Sequence, residues 1–206
     1  MLKKEKKANS GMATKRLKDL LDDHIQMLTG KNCTFQVMCD EGYYLEQRIN
    51  PDNPDDTVKI GYTMQKKLLT RSFCLEFRTV VNDIHFSENF LLKLNFAGFP
   101  HTNKVFFKGK KESEKYAESF NKPQLLEKLK RTAGMVDIDF ITIEYSKSRA
   151  AFTIRISPIP GGAIWIVFPP VFFKMKLKQE EIDALWRIMI DLRKHIETCI
   201  VENNWK

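Results

Sequence analysis

Only four cysteines, four histidines and nine glycines occur among the 206 residues, so the usual ingredients of metal centres and phosphate loops are scarce. Cys33, Cys39, Cys74 and Cys199 form no C-x-x-C, and His24, His85, His101 and His195 form no H-E-x-x-H or H-x-x-x-H. No zinc-ligand spacing is therefore present. Cys33 and Cys39 on one extended strand would lie about 20 Å apart at ~3.3 Å per residue, well beyond the ~7 Å Cα limit of a disulfide. Free buried thiols in a reducing cytoplasm are expected.

Catalytic signatures are equally scarce. No G-x-S-x-G elbow, dinucleotide-binding glycine pattern or kinase signature occurs. Gly161-Gly162 is followed by Ala163-Ile164, where a phosphate loop needs lysine and a hydroxyl. The spacing predicts a hairpin there, since positive φ costs glycine little. Asp83 with His85, and Asp137 with Asp139, stand two apart. On a strand each pair would share a face and could line one pocket. No metal and no cofactor is expected.

Long apolar runs are missing too. The most hydrophobic stretch, Ala163 to Phe173, is eleven residues long and holds Pro169 and Pro170, too short and too broken for a membrane-spanning helix. The start, Met-Leu-Lys-Lys-Glu-Lys-Lys, has no apolar core behind its charges and reads as neither a secretory signal nor a span. The expected location is cytoplasmic.

What the chain does have is an ordinary globular composition, with 43% hydrophobic, 11% aromatic and 29% charged residues. A chain of this length buries roughly 70% of its unfolded surface, enough for one core. The formal charge of +8 is unevenly placed: Lys3, Lys4, Lys6, Lys7, Lys15, Arg16 and Lys18 oppose only Glu5. Residues 1–13 read as a flexible basic tail and 14–206 as one α+β domain, with possible halves at 14–100 and 101–206.

Thr14 and Gly30 bracket a helix carrying Leu17, Leu20, Leu21, Ile25 and Leu28 on one stripe. From Cys33 to Val81 the apolar period falls to two. Val58, Ile60, Tyr62 and Met64 alternate in one strand, and Phe73, Leu75 and Phe77 oppose Glu76 and Arg78 in the next, the pattern of a half-solvated antiparallel sheet. Strands follow at 90–96 and 105–107. A helical region then runs from Glu112 to Thr132, restarting at Pro123, where proline suits a first turn, and closing at Gly134. Strands near 137–145, 149–157, 163–168 and 171–177 precede a helix from Gln179 to Glu202. That helix has an acidic first turn, and Arg193, Lys194 and His195 lie further along, as the helix dipole favours. An α-β4 unit thus occurs twice. From residue 105 the order β-α-β4-α resembles the TATA-binding-protein-like and helix-grip architectures in topology, with no motif of either.

The basic segment points to a non-enzymatic binding module for an acidic macromolecular partner, protein or nucleic acid. Lysines on a mobile tail neutralise phosphates without fixed geometry and release counterions. Anionic lipids would attract the same segment, but it lacks Trp or Phe to anchor it in the interface. Lys66, Lys67 and Arg71 form a smaller basic group, as do Lys104 to Lys115 with Phe106, Phe107 and Tyr116 interleaved, the composition of a base-stacking platform. Lys174, Lys176 and Lys178 alternate as on a guarded strand edge.

The alternative is a carrier or sensor of an apolar small molecule. Its groove would be formed by Trp165, Phe168, Phe172 and Trp186, because Trp165 to Phe173 is apolar on both strand faces. Burial of that stretch between two layers is the plainer reading. A homodimer through an exposed apolar hairpin or the last helix is possible on this pattern.

Overall fold

The computed structural model describes residues 15–27 except Lys18 and Ile25, then 36–39, 43–48, 57–97, 104–110 and 113–202. The described residues of 15–27 are helical (α1), with Leu17, Leu20 and Leu21 buried. Thr14, Gly30, Cys33 and the basic residues Lys3, Lys4, Lys6, Lys7 and Lys18 lie outside the described residues.

Four strands follow as an antiparallel meander: β1 (Gln36–Cys39), β2 (Tyr43–Arg48), β3 (Thr57–Lys66) and β4 (Thr70–Val81). A hairpin of β5 (Phe90–Ala97) and β6 (Lys104–Gly109) leads to α2 (Glu114–Phe120) and α3 (Pro123–Ala133). Next come β7 (Ile138–Ser146), β8 (Ala151–Pro158), β9 (Ala163–Ile166) and β10 (Val171–Lys174), and then α4 (Gln179–Glu202). The fold is α+β with one antiparallel sheet in the order β1-β2-β3-β4-β8-β7-β5-β6; β9 also pairs with β4, and β10 with β9. Among the described residues no helix is long and apolar enough to cross a membrane.

The two α-β4 runs are built differently. The first is a meander, whereas in the second β8 and β9 do not form a hairpin with each other. They lie end to end along β4, Ile156 opposite Phe77 and Ala163 opposite Phe73. Residues 157–162 bulge out opposite only 74–76, so the hairpin expected at Gly161-Gly162 is corrected to an insertion in a continuing strand. Polar contacts hold the insertion. Ser157 Oγ donates to Leu75 O at 2.9 Å and Tyr62 OH to Gly161 O at 3.1 Å. Gly161 N donates to Met175 O at 2.9 Å, and Met175 N to Gly162 O at 3.0 Å. The true hairpin is β9–β10, which turns through Val167 to Pro170.

One face of the sheet carries the core. Val58, Ile60 and Tyr62 of β3, Leu75 and Phe77 of β4, Ile141 and Ile143 of β7, and Phe152, Ile154 and Ile156 of β8 are buried together with Ile182, Leu185, Met189, Leu192 and Ile196 of α4. Each such side chain contributes about 1.5–3 kcal/mol on burial. Among the described residues, Arg193 is the cation that reaches into this layer. Arg193 Nη1 donates to Thr79 Oγ1 at 3.2 Å and Val80 O at 2.9 Å, with Nε 3.0 Å from Glu197, tying α4 to β4. At the far edge Asn121 closes β6, since its side-chain amide pairs with both the N–H and the C=O of Phe107. Pro123 occupies the first turn of α3, as expected.

α1 docks where β10 runs into α4. Asp23 pairs with Lys176 at 2.7 Å, and Leu177 N donates to His24 Nε2 at 3.3 Å. Lys176 and Lys178 therefore belong to the link before α4 rather than to a strand edge. His24 is only 1% exposed. Burial holds its imidazolium form down to a pKa of about 4, the nearby Lys176 adding to this and Asp23 opposing it. Because the folded pKa lies below the unfolded value, the neutral ring's contribution is complete above pH ~6.5 and is lost as pH falls toward 4. A loss of order 3 kcal/mol is expected over that window. Denaturant unfolding at neutral pH and near pH 4 should show a wild-type stability drop that His24→Gln reduces.

Candidate functional site

Two surfaces stand out, and both depend on which strands become neighbours. The first is the end of the sheet where the β3–β4 turn lies beside the β9–β10 turn. Pairing of Thr70 with Ile166 brings the turns together, and Val167 N donates across to Leu69 O at 2.9 Å. Turn tips are ordinarily Gly, Asn, Asp or Ser, yet these present Leu68 at 96% exposure and Phe168 at 80%. Leu69, Val167, Ile164, Met64 and Phe173 are exposed nearby in the same hairpins. Residues 62–75 and 157–174 contain no carboxylate but hold Lys66, Lys67, Arg71 and Lys174; beyond them Lys176 pairs with Asp23 and Lys178 with Glu180.

The second surface is the face of the sheet turned away from the core. Directly opposed residues share a face, and the pairings Lys59–Arg78, Arg78–Arg155, Arg155–Thr142, Thr142–Lys93 and Lys93–Lys108 run in one line from β3 to β6. At ~4.8 Å per strand the row spans about 24 Å. Three of its neighbouring pairs bring like charges directly together, an arrangement that costs a sheet stability. Glu144 offsets Arg155 through a close ion pair, and at the β3 end the register sets Glu46 of β2 opposite Lys59. Glu76, buried two residues before Arg78, has its carboxyl pushed up by desolvation, while Arg155 and Arg78 oppose that shift. Arg155 Nε and the Thr153 hydroxyl are buried and find no hydrogen-bond partner among the described residues. On β6, Lys104, Phe106 and Lys108 alternate outward, while Val105 and Phe107 are core.

The residues singled out from sequence are distributed as follows. Lys15 and Arg16 are exposed on α1, and the Arg16 guanidinium lies 5.6 Å from the centre of the Phe172 ring. Trp165 and Phe172 are cross-strand partners in β9–β10, with Arg71 5.2 Å over Trp165. Phe168 is at the turn. Trp186 is elsewhere, lining a cleft of about 370 Å³ between α3 and α4 with Lys128, Arg131, Thr132, Arg187, Ile190 and Asp191; no residue of β9 or β10 lines it. Burial of the whole Trp165–Phe173 stretch between layers is corrected: Val167 to Pro170 are exposed.

The acid–base candidates are also redistributed. β4 ends at Val81, so Asp83 and His85 sit in an irregular loop, both exposed, and the shared-face argument does not apply to them. Asp137 and Asp139 are exposed around a register shift in β7. Cys74 is half-buried and its thiol is pushed up, mainly by desolvation. Cys199 is buried beside His195, Sγ to Nε2 3.3 Å. Among the described residues no group of three His, Cys, Asp or Glu gathers as metal ligands.

Residues 35–196 match the model of a family described as protein of unknown function (DUF3156). The chain belongs to that family. No curated protein and no solved structure matches it. The DUF3156 match begins just before β1 and ends within α4. It therefore includes the row on the open face and both turn tips, while α1 and the lysine-rich start precede it.

Lys59, Lys93, Arg78 and Arg155 are not candidates on sequence grounds, whereas Lys108 falls within the basic group Lys104 to Lys115. Their only local signal is a charge at alternate strand positions, which any solvated face shows. The tips had a clearer signal: Lys67-Leu68-Leu69-Thr70 and Val167-Phe168-Pro169-Pro170 are turns without a polar tip residue.

Proposed function

We propose that the chain is a non-enzymatic binding module that docks an acidic macromolecular partner, protein or nucleic acid, on the open face of its sheet. One observation carries this reading: the registered row of Arg78, Arg155, Lys93 and Lys108. Where a sheet aligns like charges against its own stability, an external anion relieves the repulsion. The packing of α4 agrees with this, since it contacts β4 and β8 on the core face, opposite the row. Phe106, half-buried between the outward Lys104 and Lys108, favours nucleic acid, because a base can stack on the ring while the lysines meet phosphates. The basic segment containing Lys3, Lys4, Lys6, Lys7, Lys15, Arg16 and Lys18 adds sequence-independent attraction.

Fluorescence anisotropy with a labelled single-stranded oligonucleotide at low salt tests the reading. Lys93→Glu/Lys108→Glu is expected to weaken binding at least ~10-fold and to flatten the salt dependence by about 1.4, at ~0.7 per phosphate contact. Phe106→Ala should cost about 10-fold, the lower range for one stacked base. If the wild type binds neither the oligonucleotide nor poly-glutamate, or the double variant matches it on both, the proposal fails.

A further inference from the structure

The paired tips call for a different partner from the open face. A row of cations on a flat sheet can meet a polyanion, but Leu68 and Phe168 project from turns and offer nothing to phosphates. Their neighbours set the constraint. Lys66 and Lys67 precede Leu68 and Leu69, Arg71 follows them, and Lys174 ends β10, while both segments lack acidic residues. A partner fitting this end must accept apolar side chains at its centre and present negative charge around them.

We propose that the β3–β4 and β9–β10 turns insert together into the surface of an anionic lipid bilayer, with Leu68, Leu69, Val167 and Phe168 entering the acyl boundary and the surrounding lysines meeting the headgroups. The Val167–Leu69 hydrogen bond and the Thr70–Ile166 pairing hold the two tips side by side, so both enter as one preformed wedge. Arg16 over Phe172 sets the start of α1 against the same hairpin. Lys15 and Arg16, both exposed at this end of α1, add positive charge beside that hairpin. Basic residues near an anionic leaflet and a few inserted apolar side chains together give the two signals that stable, reversible attachment requires.

Co-flotation of the full chain with vesicles tests this. Wild type is expected to float with vesicles of phosphatidylcholine plus phosphatidylglycerol and to remain behind with phosphatidylcholine alone. Leu68→Asp/Phe168→Asp should reduce partitioning at least ~30-fold, the scale of withdrawing two apolar side chains from the interface. Both sites are solvent-exposed, so an unchanged melting temperature is expected and confirms that the variant is folded. Lys66→Glu/Lys67→Glu should likewise release the protein, and raised salt should do the same. The proposal is overturned if wild type ignores the anionic vesicles, or if the tip variant floats as well as wild type. It is also overturned if sedimentation shows a dimer that the tip variant dissolves, for then a second copy covers the wedge. Oligonucleotide binding is read separately, since Lys93 and Lys108 lie on β5 and β6.

Discussion

Phe152→Ala is expected to lower the free energy of unfolding by about 3–5 kcal/mol, the range for truncating a fully buried aromatic ring. Phe152 is 0% exposed at the start of β8. Its ring lies 5.6 Å from Phe86, 5.5 Å from Phe90, 5.3 Å from Tyr145 and 6.3 Å from Phe120. These rings come from the β4–β5 loop, β5, β7 and α2. The cavity would open where the loop, the sheet and the helices meet, and it cannot close by moving one neighbour. The hydroxyl of Tyr145 is also committed, donating to Ile84 O and accepting from Phe86 N, both at 2.9 Å. That clamp keeps the surrounding rings from collapsing inward. Chemical denaturation should show the lower midpoint with an unchanged slope. A loss under about 1 kcal/mol would mean that this cluster does not organise the core.

Gly162→Ala is the second large effect, at about 2–3 kcal/mol, the cost of overpacking a site that cannot relax. A Cβ there would stand 2.6 Å from Phe73 O, a backbone atom within β4. Gly161 is constrained differently: its φ is +88°, and a Cβ would meet Leu75 and Leu177. Both glycines serve the insertion that carries β8 over into β9. Forcing it outward should loosen the β9–β10 hairpin before the rest of the sheet. Hydrogen exchange at the amides of Met175 and Val167, which bond to Gly162 O and Leu69 O, should report this as accelerated opening. Gly134→Ala is the control. Gly134 closes α3 with a φ of −70°, and an added Cβ would make only ordinary contacts at 3.4 Å and beyond, so little change is expected. Equal effects at 134 and 162 would remove the steric argument.

These two variants bear on function because both surfaces are products of the same core. The β9–β10 hairpin holds one of the tips, and the Phe152 cluster backs the strands that carry the middle of the basic row. A destabilised core would misplace both, so any loss of binding must be read beside the folding measurement.

The sequence by itself determined a good deal. Period-two alternation over Val58 to Met64 and Phe73 to Phe77 identifies β3 and β4, because a strand half in water must alternate. The apolar stripe from Ile182 to Ile200 and the first-turn proline at Pro123 identify α4 and α3 for similarly local reasons. Antiparallel α+β architecture follows from that inventory. Tertiary structure alone decided which strands are neighbours, since register is a long-range property and no local pattern specifies the partner. Arg78 and Arg155 are unremarkable charges until β8 settles beside β4. The turns bearing Leu68 and Phe168 lie side by side only because β9 continues along β4. His24 is buried because the link from β10 to α4 packs against α1 there. Local sequence thus set each element's type and faces, and the packing of distant elements set the sites.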